Sequence, residues 1–250
     1  MKALILAAGK GTRLGALTKD CPKPLLDLGG RPIIENILIP LRDAGVREFV
    51  VVTGHLAQMV EDRLGDGATL GVKISFRRQR EPKGTGEAVL LARELLAEEP
   101  FVLSWGDVII SPENCGGIIA DFESDPCDAL LGLNWMDDPC SGAAVHLGDG
   151  DVVEKIIEKP SPGQSTTHWN NAGLMVFDPI VHEFTAKLTL SARGEYELPE
   201  AVANMLRDGR RVRGHRLSGF WSDVGTPEDL ARTREAWQGL KTTCRQSPQP

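Results

Sequence analysis

Apolar and polar positions follow two rhythms along the first half of the chain. Met1 to Ala7, Glu48 to Thr53 and Phe101 to Trp105 carry short, nearly continuous apolar runs, the pattern of strands buried on both faces. Val72, Ile74 and Phe76 alternate with polar neighbours, which suits a strand with one exposed face. Between these runs the period becomes helical: Leu56, Met59, Val60 and Leu64 share one stripe, as do Ala88, Leu91, Ala92 and Leu96. Another helix is expected from Pro32 to Ala44, stopped by Gly45 as its cap. Pro40 inside it predicts a kink or a junction of two helices. Strands alternating with helices in this way predict an α/β fold: a Rossmann-like mixed, mostly parallel sheet flanked by helices.

Beyond Asp128 the texture changes. Ala129–Asn134, Gly142–Leu147, Val152–Glu158 and Gly173–Phe177 read as short strands separated by Gly, Asp and Pro turns. Two helices follow. One carries Leu198, Ala201, Val202, Met205 and Leu206 on a single face, and the last opens at Thr226-Pro227-Glu228-Asp229, a capping box with proline at the first helical position. No repeat or linker interrupts residues 1–238, which read as one domain, and 239–250 are expected to form a frayed C-terminal tail.

Composition narrows the class. In 250 residues, 28 Lys and Arg against 35 Asp and Glu give a net charge of −7, with no sustained basic run, which argues against nucleic-acid or membrane-surface binding. No apolar stretch approaches the roughly 18 residues of a membrane span, and the run Ala3–Ala8 is too brief for a secretion signal, so a cytoplasmic protein is expected. The 5 cysteines include no CxxC pair and the 5 histidines no HxH or HxxxH pair, so a transition-metal site is not expected. Hard divalent cations need only carboxylates and stay open.

The candidate chemistry begins where the first strand ends, at Gly9-Lys10-Gly11-Thr12-Arg13-Leu14-Gly15. A dinucleotide-binding turn would need glycine at 14, which is Leu14, and a P-loop would need glycine at 4, which is Leu4. What is left is a turn whose glycines let backbone N–H groups approach phosphate oxygens, with Arg13 and Lys23 adding fixed positive charge.

Leu6-Ala7-Ala8-Gly9-Lys10-Gly11-Thr12-Arg13 with Pro22-Lys23-Pro24-Leu25 closely resembles the signature of the sugar-1-phosphate nucleotidylyltransferases. Gly84-Thr85-Gly86, Trp105-Gly106-Asp107, Glu158-Lys159-Pro160, Asn171-Ala172-Gly173 and Trp221-Ser222-Asp223-Val224-Gly225-Thr226 follow in that family's order, so the resemblance spans residues 2–237. It departs at Ala16, where the family commonly has proline. The resemblance implies a nucleotide-binding half over 1–125, a sugar-phosphate-binding half over 126–238, and no acetyl transfer.

The implied reaction joins an NTP, UTP or dTTP first, to a sugar 1-phosphate of the glucose or N-acetylhexosamine type, releasing pyrophosphate. Guanylyl transfer to mannose or heptose 1-phosphate is the close alternative. The nucleophile is already a phosphate oxygen, so alignment and charge neutralisation are required and a general base is not. On the family's pattern, Arg13 and Lys23 are catalytic, Asp107 and Asp223 hold Mg²⁺, and Leu6, Ala8, Gly9, Gly11, Thr12, Gln79, Gly84 and Thr85 contact the nucleotide. Gly142, Glu158, Lys159 and Asn171 would take the sugar phosphate. The implied partners are small molecules alone, in an enzyme that forms a homo-oligomer as relatives often do. A non-catalytic nucleotide-sugar sensor on the same scaffold would be expected to lose Arg13 or a metal carboxylate, and Arg13, Lys23, Asp107 and Asp223 are all present.

Overall fold

The computed structural model describes residues 1–96 and 98–246. Its strands are β1 (Lys2–Ala7), β2 (Glu48–Thr53), β3 (Lys73–Arg78), β4 (Phe101–Trp105), β5 (Val108–Ile110), β6 (Ala129–Trp135), β7 (Ala143–Leu147), β8 (Val153–Glu158), β9 (Trp169–Phe177), β10 (Val212–Arg216) and β11 (Trp221–Asp223). The helices are α1 (Ile33–Asp43), α2 (Ala57–Leu64), α3 (Thr85–Leu96), α4 (Glu113–Ser124), α5 (Val181–Thr185), α6 (Leu198–Arg207) and α7 (Pro227–Gln246).

The central sheet runs β10-β6-β9-β4-β1-β2-β3, with the β7–β8 hairpin attached through β9, while β5 and β11 form a separate antiparallel ribbon. Pairing of β1 with β2 and β4, of β2 with β3 and of β6 with β10 is parallel; β9 runs antiparallel between β4 and β6. Successive side chains of the parallel strands enter opposite core layers. Ala3, Ile5, Phe49, Val51 and Val102 pack with α1 and α4; Leu4, Val50, Val52, Phe101 and Leu103 pack with α3 and α6. Burial of both faces is why those strands read as continuous apolar runs. Among the described residues no helix is long and apolar enough to cross a membrane.

Both helix ends anticipated from sequence have full hydrogen-bond accounts. Gly45, at φ +103°, donates to the Arg42 carbonyl at 2.9 Å while Val46 donates to Leu41 at 3.1 Å, closing α1 with a Schellman turn. At α7 the Thr226 N–H donates to Asp229 and the Asp229 N–H to the Thr226 hydroxyl, at 2.9 and 3.1 Å, a reciprocal capping box.

Three expectations are corrected. Helix α1 runs through Pro40 as one element, held on both sides of the proline by buried Ile37, Leu38 and Leu41. The stretch expected to fray is helical to Gln246, because Leu230, Thr233 and Trp237 bury one stripe of α7 and anchor it; residues 247–250 lie outside those described. Strand β9 begins at Trp169 rather than at Gly173, and its register against β6 shifts between Leu131 and Leu133, with Gly173 at φ +82° inside the irregular segment.

His182 on α5 is 3% exposed and stacks on Phe101 at 5.5 Å, and neither ring nitrogen has a partner. Burial pushes its pKa down from 6.5 to about 4. The native imidazole therefore stays neutral where the unfolded one binds a proton, and stability falls as pH drops from 6.5 toward 4. On the linkage scale this is about 2 kcal/mol between pH 7.5 and 5. His182→Leu should remove that share of the acid loss, so its urea midpoint should rise relative to the wild type's from pH 7.5 to 5; parallel pH curves would refute the assignment.

Candidate active site

The sheet order places the site. From β1 the chain winds outward through β2 and β3, then returns to the other side of β1 as β4, so the carboxyl ends of β1 and β4 flank a topological switch point. The glycine-rich turn leaves β1 there and Trp105-Gly106-Asp107 leaves β4. The two strand ends touch: Gly106 N–H donates to the Leu6 carbonyl at 2.9 Å, and a β-carbon at Gly106 would lie 2.7 Å from that oxygen.

Gly11 opens the loop over the site in the left-handed region, at φ +63°. Thr18, 5% exposed, bonds through its hydroxyl to the carbonyls of Gly11 and Gly15 at 3.0 and 3.3 Å and closes the loop from beneath. Gly9, Thr12 and Arg13 are exposed on it; Leu6, Ala8 and Gly11 are half-buried.

Lys23 follows in a short helical turn between Pro22 and Pro24 and is almost fully buried. Its ammonium stands 2.6 Å from Asp107 Oδ2 and 3.9 Å from Asp223 Oδ1. Asp223 arrives through the β5–β11 ribbon, in which it pairs with Val108, and the Val224 N–H donates to the Asp107 carbonyl at 2.9 Å. Arg13 stands 4.0 Å from Asp223 Oδ2, over Gly225, where a β-carbon would meet its guanidinium at 2.9 Å. Asp223 Oδ1 is buried without a hydrogen-bond partner, while the side chain as a whole is 41% exposed. Burial and then the neighbouring Asp107 charge push its carboxyl up from 3.8 to about 6, against the pull of Lys23 and Arg13.

On the β3 side, the Gln79 amide nitrogen donates to the Gly84 carbonyl at 2.9 Å and to Glu87 at 2.7 Å. Both partners only accept, which fixes the amide's orientation. Gly84 and Gly86 make room for protein: β-carbons there would collide with the Tyr196 backbone and with Leu188. The Thr85 hydroxyl accepts the Leu198 N–H at 3.0 Å.

In the second half, Gly142 and Glu158 meet at the end of the β7–β8 hairpin, where the Gly142 carbonyl accepts the Lys159 N–H at 2.7 Å. Lys159 has a left-handed backbone at φ +42°, and its ammonium stands 4.0 Å from Glu158. Burial raises the Glu158 pKa, offset in part by Arg193. Asn171 is turned inward: 1% exposed, it donates to Met175 Sδ at 3.4 Å and accepts the Gly173 N–H at 3.2 Å.

Arg193 was not anticipated. It pairs with Glu158 at 2.9 Å and with Glu197 at 2.8 Å. Its loop also packs on the base side, through Tyr196 N–H to the Lys83 carbonyl and Gly86 N–H to the Tyr196 carbonyl, both at 2.8 Å. One segment thus joins the neighbourhoods of Gln79 and Glu158. Its sequence, Ser191-Ala192-Arg193-Gly194-Glu195, has no period, and the glycine was its one local signal.

Comparison with known proteins gives a consistent picture. The nucleotidyl transferase family model matches residues 2–238. The low-salt glycan biosynthesis nucleotidyltransferase of Haloferax volcanii is 31% identical over 236 residues, covering 94% of this chain and 65% of that protein. The same organism's UTP–glucose-1-phosphate uridylyltransferase is 34% identical over 241 residues, covering 95% and 97%. A Bacillus anthracis structure assigned as a glucose-1-phosphate thymidylyltransferase, solved with sucrose, superimposes with a TM-score of 0.86 at 28% identity over 94% of both chains. With that match over nearly its whole length, and the sheet switch point at which its glycine-rich turn lies, the chain belongs to the nucleotidyl transferase family.

Proposed function

We propose that this protein is a cytoplasmic sugar-1-phosphate nucleotidylyltransferase that joins UTP or dTTP to a glucose- or N-acetylhexosamine-type 1-phosphate and releases pyrophosphate. The observation that carries the reading is the meeting of Asp107, Asp223, Lys23 and Arg13 at the carboxyl edge of β1 and β4. Such a cluster suits a reaction in which anions must be aligned and charge neutralised, since the attacking oxygen needs no base.

The carboxylate pair fits Mg²⁺. Both ligands are hard oxygens, Asp223 Oδ1 is buried and unpartnered, and two carboxylates suffice when substrate phosphates complete the shell. Bound by Asp107 and Asp223, Mg²⁺ would neutralise charge on the phosphates. The chain's own groups do the rest. Backbone N–H groups of the Gly9–Thr12 turn cradle the phosphates, Lys23 holds the α-phosphate, and Arg13 stabilises the leaving pyrophosphate. Lys159, with Arg193, holds the acceptor phosphate, and Gly142 and Glu158 the sugar hydroxyls. Asn171 joins them once its amide turns from Met175.

The amide of Gln79, its nitrogen spent on Gly84 and Glu87, offers an acceptor oxygen. Uracil and thymine present a donor N–H at position 3, whereas cytosine presents an acceptor there. That suits the imide N–H of uracil or thymine, as it would the N1–H of guanine, and disfavours CTP.

The reading is tested by pyrophosphate release with Mg²⁺ across five NTPs and a panel of sugar 1-phosphates. Turnover is expected with UTP or dTTP and should fall about 10²–10³-fold in Arg13→Ala, as for loss of a transition-state donor. No turnover with any pair, in protein that binds no nucleotide, would overturn it. Gln79→Ala should raise the KM for the preferred NTP about tenfold, the worth of one hydrogen bond, and narrow its lead over CTP. An unchanged base preference would remove Gln79 from base reading.

Asp223 gives a prediction of the opposite sign in stability and in function. Its folded pKa is raised, so the metal-free protein loses stability as pH rises from about 4 to about 6 and Asp223 is forced to ionise. Asp223→Asn should therefore raise the Tm of metal-free protein at pH 8, show a shrinking advantage as pH falls below 6, and abolish the Mg²⁺-induced rise in Tm. A lower Tm at pH 8 without metal would show that the carboxylate stabilises the fold instead.

A further inference from the structure

His55 stands outside every motif discussed so far, yet the fold presses it against the Arg13 loop. At the end of β2, Gly54 packs so closely on Ala8 that a β-carbon would collide with the Ala8 carbonyl. Leu56, on the other side of His55, is held in the left-handed region at φ +51°, a conformation that β-carbon-bearing residues rarely adopt. Left-handed non-glycine residues of this kind collect where a side chain must be aimed. Between them, the His55 imidazole places Nε2 3.4 Å from the carbonyl oxygen of Thr18, and the His55 backbone N–H donates to the Ala8 carbonyl at 3.4 Å. Thr18 is the buried residue whose hydroxyl ties Gly11 to Gly15, the two glycines that bracket Arg13.

We infer that His55 is a positioning residue for the candidate active site: its backbone N–H holds Ala8 at one end of the phosphate-facing loop, its imidazole Nε2 holds Thr18 at the other, and together they set where Arg13 stands. It touches no reacting atom. A carbonyl oxygen can only accept, so the clamp requires the tautomer with its proton on Nε2. The left-handed turn at Leu56 and the close approach at Gly54 fix the backbone from which the imidazole projects. The catalytic half of this inference rests on the nucleotidylyltransferase reading; the loop-clamping half does not.

Three measurements on the full chain test it. Side-chain nitrogen NMR of the wild type should show His55 as the Nε2–H tautomer, and a dominant Nδ1–H form would overturn the clamp without any variant. Hydrogen exchange of residues 11–18 should quicken about tenfold in His55→Phe, which keeps a ring but has no donor, and slow again in His55→Gln, whose amide can reach the same carbonyl. With the preferred NTP and sugar phosphate, kcat should fall about tenfold in His55→Phe, with KM for both substrates within twofold, and recover in His55→Gln. A general loss of fold would instead lower Tm and spare neither variant, and that outcome, or wild-type exchange in His55→Phe, would refute the inference. Expected tautomer and exchange results in a protein that neither turns over any substrate pair nor binds nucleotide would leave the clamp standing and sink the nucleotidylyltransferase reading.

Discussion

One buried ammonium between two carboxylates is the constraint on which the site depends. Lys23, Asp107 and Asp223 are far apart in the chain, and each is delivered by a different device: a proline-bracketed turn, a strand end, and a two-stranded ribbon. Burial and then the neighbouring Asp107 charge raise the free energy of ionised Asp223, and the upward push on its carboxyl reflects both. A buried ion pair of this sort is weak evidence of stabilisation, because desolvation offsets much of the attraction. Its geometry is better explained by what is to be bound. The ammonium balances the carboxylates in the absence of ligand, and a divalent cation with phosphates can take over that charge balance.

The rest of the architecture brings the two halves of the chain to this cluster. Strand β9 from the second half pairs with β4 from the first, so the sheet is continuous through the region where the candidate sugar and nucleotide residues meet. The 191–197 segment adds a second tie. Its arginine holds Glu158 while its backbone closes on Lys83 and on the start of α3. The two neighbourhoods are thereby joined through backbone hydrogen bonds and one guanidinium. The glycines at 84 and 86 fit that packing, since a β-carbon at either would collide with the Tyr196 backbone or with Leu188.

Much of this was legible in sequence, and the parts that were not have physical reasons. Strands β1, β2 and β4 announced themselves because burial on both faces forces continuous apolar runs. The ends of α1 and α7 were readable because a left-handed glycine and a capping box act within a few residues. Helix α4 went unread because Gly116 and Gly117 lower its propensity, and it is held by the buried Cys115, Ile118, Ile119 and Phe122. Strands β5 and β11, three residues each, exist because they pair with one another, and no local pattern encodes a partner more than a hundred positions away. The charged cluster was read through resemblance, residue by residue. Arg193, which sits in no periodic element, and His55, whose role is visible only where β2 meets the loop after β1, needed the fold.

The unsatisfied atoms of the interior sharpen the same point. Buried polar atoms nearly always find partners, so those that do not mark places where packing serves something other than stability. Among the described residues the unpartnered buried side-chain atoms belong to Trp105, Asn170, His182 and Asp223. Three of these four residues border the site: Trp105 stands two positions before Asp107, Asn170 abuts Gly142 and adjoins Asn171, and Asp223 belongs to the cluster itself. A fold selected for stability alone would have paired or replaced them. Leaving them incomplete places most of the hydrogen-bonding deficit beside the candidate site, and a ligand that supplied partners there would stabilise the native state by mass action. His182 lies apart from that site, buried against Phe101, and its two unpartnered nitrogens serve no ligand. That contrast separates a deficit that binding can repair from one that only a change of residue can.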